Sequence, residues 1–126
     1  MTTQRSRPVY LNLLRIRFPV GAVTSIAHRI SGVVLFLSLP MSIYLLELSL
    51  QGPEDYTKVL SYMGNCWFQT GLALLIWSLM HHLLSGVRFL LLDIDKGVTL
   101  QAARRSAWLV NLCAPVLALL YLWWVL

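Results

Sequence analysis

The sequence predicts an all-α membrane protein of three transmembrane helices, with a cytoplasmic N-terminus and a periplasmic C-terminus. Three observations carry this. The 126 residues are 58% hydrophobic, with a mean hydropathy of +0.70, whereas soluble domains are about 45–50% apolar. Three stretches reach the roughly 20 mainly apolar residues that a bilayer crossing needs: Ile30 to Leu50, about Cys66 to Leu92, and Ser106 to Leu126. The basic residues are segregated. Arg5, Arg7, Arg15, Arg17 and Arg29 precede the first span, and Arg88, Lys96, Arg104 and Arg105 surround the second connector. Only Lys58 lies in the first connector, and nothing after Arg105 is charged. Short loops rich in Lys and Arg stay cytoplasmic.

The elements follow in order within one membrane domain, residues 1–126. Residues 1–22 form a cytoplasmic or interfacial segment. There Leu11, Leu13, Leu14, Ile16 and Phe18 interleave with Asn12, Arg15 and Arg17, between Pro8 and Pro19. Such a segment can lie in the headgroup layer or contact a cytoplasmic partner. Helix I spans about 24–50, with Thr24 or Ser25 as its capping hydroxyl and Pro40 as a mid-span kink. The connector "QGPEDYTK" leads to helix II, about 63–93. The connector "DIDKGVTLQAARR" leads to helix III, about 104–126, and its Asp93 and Asp95 fall at the membrane interface. Cys66 and Cys113 have no metal-type spacing and read as small apolar residues.

Several function classes drop out. So little chain lies outside the spans that no soluble catalytic domain fits. The net charge of +5 is explained by membrane topology and gives no reason to expect nucleic acid. The first apolar run is longer than the h-region of a secretory signal and has no A-x-A-like site after it. The first 46 residues hold Arg, Ser and Thr but no acid, which leaves a transit peptide open. No polar path crosses the first or third span, which argues against a transporter subunit.

The stretch "WSLMHHLLSGVRFLLLD", Trp77 to Asp93, carries the chemistry. Ionisable groups within spans are expensive and mark functional sites. Helical spacing puts Gly71, Leu75, Ser78, His82, Ser85, Gly86 and Phe89 on one face. Small residues there admit another helix or a flat cofactor. Imidazole is a natural ligand for haem iron, and it also hydrogen-bonds neighbouring helices. His81 and His82 stand about 100° apart around the helix, so they cannot ligate one iron from opposite faces, and one of them is a polar neighbour or a lipid-interface residue. His82 lies eleven residues before Asp93, about 16 Å deep. Carboxylates of a haem held there would approach the level of His28, Arg29 and Arg88, and arginine's fork suits such anions. The same arginines can instead snorkel to the headgroups. In "SIAHRISG", Ser25 and Arg29 share a face at i, i+4. Their hydroxyl and guanidinium can hydrogen-bond a quinone's oxygens.

These residues resemble the cytochrome b membrane-anchor subunit of bacterial succinate dehydrogenase. The first motif of that family is an Arg-Pro followed by Ser-x-x-His-Arg-x-[Ser/Thr]-Gly, here Arg7-Pro8 and then Ser25, His28, Arg29, Ser31 and Gly32. The second has a histidine four before a glycine, then an arginine and an aspartate, here His82, Gly86, Arg88 and Asp93. Phe89 departs from the pattern, since many relatives carry a second histidine there.

The resemblance implies that His82 is an axial ligand of haem b, that Ser25 and Arg29 help form the ubiquinone site, and that His28 and Arg29 lie near the haem propionates, with Arg88 in the same vicinity. It implies a multi-pass subunit of the bacterial inner membrane, acting in electron transport between the tricarboxylic acid cycle and the respiratory chain. A second small membrane-anchor subunit would pack around the same haem and supply the other axial histidine. The resemblance places succinate oxidation on a flavoprotein subunit and electron delivery to quinone on an iron–sulfur subunit, so no residue of this chain is catalytic for the dicarboxylate step. Two alternatives stand beside this reading: the anchor of a quinol:fumarate reductase, and a membrane assembly protein with no redox role.

Overall fold

In hydrocarbon, every backbone polar group must find its partner within the protein, and a helix satisfies them all within one segment. The computed structural model describes residues 17–125, so Arg7-Pro8 and the interleaved stretch up to Ile16 lie outside the described residues. Four helices follow in order: α1 (Val20–Leu50), α2 (Pro53–Tyr62), α3 (Cys66–Asp93) and α4 (Leu100–Val125). No strand occurs among the described residues. Helices α1, α3 and α4 are each long and apolar enough to cross a membrane.

α1 begins at Val20, one turn earlier than the hydroxyls at Thr24 and Ser25 suggest. Pro19 is extended (φ −64°, ψ 151°) and no side chain caps the helix. Its carbonyl accepts from the amides of Ala22 and Val23 at 2.9 and 3.2 Å, so the backbone closes the first turn without a hydroxyl. Thr24 then bonds back to the carbonyl of Val20 at 3.0 Å. Pro40 lies inside α1, which continues through it to Leu50.

The first connector holds α2, a helix that the apolar pattern does not signal. Pro53 opens it, and Glu54 and Asp55 occupy its first turn, where negative charge meets the positive end of the helix dipole. Lys58 pairs with Asp55 at 2.7 Å. Asn65 caps α3, its Oδ1 accepting from the amides of Trp67 and Phe68 at 2.8 and 3.3 Å. After α3 the chain turns through Asp95 (φ +58°) and Gly97 (φ +76°). Glycine has no Cβ penalty there, and aspartate is among the residues that tolerate the left-handed region. Thr99 starts α4 by accepting from the amide of Ala102 at 3.3 Å.

α3 is the central element, packed by α1 and by α4, which also touch each other. The seams are made of small residues: Thr24, Ser31, Ser78, Ser85, Ala107 and Ala114 are each fully buried. Small side chains let helix backbones approach closely. Large apolar groups such as Phe36, Leu37, Leu119 and Trp123 face outward, as suits lipid or another membrane chain.

Candidate functional site

The centre of the site is His82, half-buried on α3 against α1. Its Nδ1 lies 3.2 Å from the carbonyl oxygen of His28 and 3.4 Å from the hydroxyl of Ser31. A carbonyl can only accept, so Nδ1 carries the hydrogen and Nε2 keeps its lone pair. This is the tautomer that a metal-ligating histidine needs. Ser31 donates to the same carbonyl at 2.8 Å. Gly32 makes room for the ring: a Cβ there would stand 3.0 Å from Cε1 of His82. The first-motif residues Ser31 and Gly32 thus form the seat of the second-motif histidine.

His28 is not shallower than His82, as the sequence suggested. The two rings stack, with centroids 4.2 Å apart and planes 12° from parallel. The reason is the early start of α1, which carries residue 28 two turns into the span. Phe89 meets the edge of His28 with centroids 5.2 Å apart, and Gly86 leaves space beside it, its Cβ position lying 3.8 Å from His28 Nε2. Stacked rings lie face to face, so His28 cannot hold the far side of an iron bound by His82. Among the described residues no cluster of three or more metal-ligating side chains occurs.

His81 is a buried polar neighbour, not a lipid-interface residue, at 2% exposed. Its Nε2 lies 3.2 Å from Asn111 Oδ1 on α4, and its Nδ1 lies 3.2 Å from the hydroxyl of Ser85. Thr24 on α1 reaches the same Asn111 oxygen at 3.2 Å. Both ring nitrogens of His81 are engaged, whereas Nε2 of His82 bonds no other side chain or carbonyl among the described residues. Geometry therefore separates two histidines that spacing leaves equivalent. The sequence reading missed Asn111, and it read Thr24 only as a capping hydroxyl and not as a neighbour of that amide. A lone amide in an otherwise apolar third span was the available signal.

Ser25 is half-buried and Arg29 exposed on α1. They share the helix face of His28 and Gly32, and neither side chain hydrogen-bonds another described residue. Arg88 does not snorkel: it is 7% exposed. Its Nε donates to Ser106 Oγ at 3.0 Å, and its Nη2 donates to the carbonyl of Ala103 at 3.1 Å. Its guanidinium also lies 5.3 Å from the Phe89 ring centroid, and the Cβ position of Gly21 on α1 is 4.0 Å from Nη2. Arg88 therefore ties α3 to α4 at the end where α1 enters.

Residues 3–122 match the family model described as succinate dehydrogenase/fumarate reductase transmembrane subunit. A succinate dehydrogenase cytochrome b556 subunit from Coxiella burnetii is 34% identical over 121 residues, covering 93% of this chain and 97% of that one. The cytochrome b556 subunit from Paracoccus denitrificans is 29% identical over 120 residues, covering 93% and 90%. The mitochondrial cytochrome b560 subunit from Mus musculus is 28% identical over 123 residues, covering 94% and 69%.

Proposed function

The chain belongs to the succinate dehydrogenase/fumarate reductase transmembrane subunit family, as a cytochrome b anchor of the bacterial inner membrane, and we propose that it holds haem b through His82 and helps form a ubiquinone-reduction site. In this reading the N-terminus is cytoplasmic, and the chain packs against a second small membrane subunit. Together they fix a flavoprotein subunit and an iron–sulfur subunit to the membrane.

The observation that carries the haem assignment is the bond from His82 Nδ1 to the His28 carbonyl. It leaves Nε2 unprotonated, aims the ring, and raises its basicity as a ligand. Haem b, bound there, supplies a one-electron carrier within the bilayer. His28 stacks beside the ligand and His81 has both nitrogens engaged. Neither ring is placed to join His82 in holding the haem, so a second histidine would have to come from another chain. Exposed Arg29 has its guanidinium available to a propionate or a quinone. Arg88 uses two of its five donors on α4 and keeps three.

The quinone assignment rests on Ser25 and Arg29. Ser25 offers a hydroxyl donor to one quinone oxygen and can relay a proton to it. Arg29 is one turn further along the same face and stabilises negative charge developing on the quinone oxygens. Their position at the entry of α1 keeps the pocket close to water and to an iron–sulfur partner.

The test is the reduced-minus-oxidised spectrum of the purified complex carrying His82→Ala. The expected result is an assembled complex that has lost or changed its haem b bands. A variant with the full native spectrum would remove His82 from the site.

A further inference from the structure

Three donors converge on one carbonyl at the seat of His82. Within α1 the helix ladder gives the His28 oxygen the amide of Gly32, four residues further on. The Ser31 hydroxyl donates to the same oxygen at 2.8 Å, and Nδ1 of His82 reaches it from α3 at 3.2 Å. A carbonyl oxygen has two lone pairs, so the serine and the imidazole compete for what the helix leaves.

Ser31 is fully buried, so water does not relieve that competition. Its single hydrogen goes to the carbonyl, and its oxygen therefore turns lone pairs towards Nδ1, 3.4 Å away. Both oxygens beside Nδ1 are then acceptors, which holds the hydrogen on that nitrogen. Ser38 and Ser49 on the same helix make the same bond, to the carbonyls of Leu35 and Leu46 at 2.7 Å, but no other described side chain bonds those carbonyls. What distinguishes Ser31 is the histidine on its acceptor.

The hydroxyl acts on the ring in two opposed ways. As a donor, it draws on the carbonyl that pulls on Nδ1–H. As an acceptor, it adds to that pull. The distances decide between them. The 2.8 Å contact has the ordinary length of an O–H···O bond, whereas 3.4 Å lies beyond the roughly 2.7–3.2 Å of N–H···O bonds. The donor effect dominates.

We propose that Ser31 is a positioning residue that tunes His82 as an axial ligand. By occupying the His28 carbonyl it weakens the bond to Nδ1 and keeps the ring a weaker donor to iron. The midpoint potential of the haem is then higher than the carbonyl alone would set it. The inference rests on His82 holding haem b.

The experiment is a redox titration of the haem in the whole purified complex, followed by absorbance, for wild type, Ser31→Ala and Ser31→Thr. Ser38→Ala is the control for the back-bond itself. Ser31→Ala leaves the carbonyl held by the helix and by His82, so it should keep the native haem content and shift the midpoint potential downward. Ser31→Thr should stay closer to wild type than the alanine variant, because a threonine hydroxyl can make the same bond to the preceding turn. Ser38→Ala should leave the potential where it is. An unchanged or raised potential in Ser31→Ala would overturn the proposal, and so would equal shifts in the two Ser31 variants. Either failure leaves the haem assignment standing when His82→Ala loses the haem bands. Full native bands in His82→Ala would overturn both.

Discussion

The carbonyl oxygen of His28 and the Nδ1 of His82 lie 3.2 Å apart, so the backbone of one span sets the tautomer of an imidazole on the next. The two motifs stand 54 residues apart in sequence and form one structural unit. The orientation of the His82 ring therefore does not depend on a flexible second side chain, because a helical carbonyl is rigid.

Gly32→Ala should disturb that unit. The new Cβ would stand 3.0 Å from His82 Cε1 and 3.4 Å from its Nδ1, and overpacking of this kind costs about 1–3 kcal/mol. The complex should still assemble, with a shifted haem absorbance or midpoint potential and a lower melting temperature. Spectral titration and thermal unfolding check this. An unaltered spectrum would mean that the ring does not need the space.

Ser25→Ala should separate electron delivery from haem binding. The hydroxyl makes no hydrogen bond within the described residues, so its loss should leave the fold, assembly and haem content intact. Loss of one donor to a developing charge should lower quinone reductase turnover by roughly tenfold or more. Assays with ubiquinone against an artificial acceptor make the comparison. Full turnover with ubiquinone would exclude the serine from the pocket.

His81→Phe should behave in the opposite way. It removes both hydrogen bonds of the His81 ring at once, leaving Asn111 and Ser85 each short of a partner, at about 1–3 kcal/mol for each unsatisfied buried group. The expected result is a less stable complex with native haem bands. Loss of the bands, with stability unchanged, would exchange the roles of the two histidines.

The spans and their charge asymmetry were legible because hydrophobic run length and basic-residue placement are properties of the chain itself. The pairing of residues across helices was not. His28 looks shallow in the sequence because it stands just before the long apolar run that begins at Ile30, whereas the Pro19 carbonyl starts the helix at Val20. α2 was hidden because its signal is proline and acid placement in a polar connector, not apolar periodicity. Helical angle put His81 and His82 on different faces, but only the positions of Asn111, Ser85 and the His28 carbonyl show that both nitrogens of His81 are engaged and that Nδ1 of His82 is the one held. Sequence left Arg88 between a propionate partner and a snorkelling anchor, because it shows depth and not the Ser106 hydroxyl that receives the side chain.

Arg88 offers a test in which structure and electrostatics give different readouts. Its guanidinium binds Ser106 and the Ala103 carbonyl together, a fork that a lysine ammonium does not reproduce. Arg88→Lys should therefore lower complex stability by about 1–3 kcal/mol while keeping the positive charge. Arg88→Leu should lower stability and also remove the charge. A positive charge near the haem edge favours the reduced form, so its removal should move the midpoint potential downward, and Arg88→Lys should largely restore it. Redox titration of both variants beside their melting curves decides between the roles. If stability falls in both and the potential moves in neither, Arg88 only joins α3 to α4, and the propionates are left to His28 and Arg29.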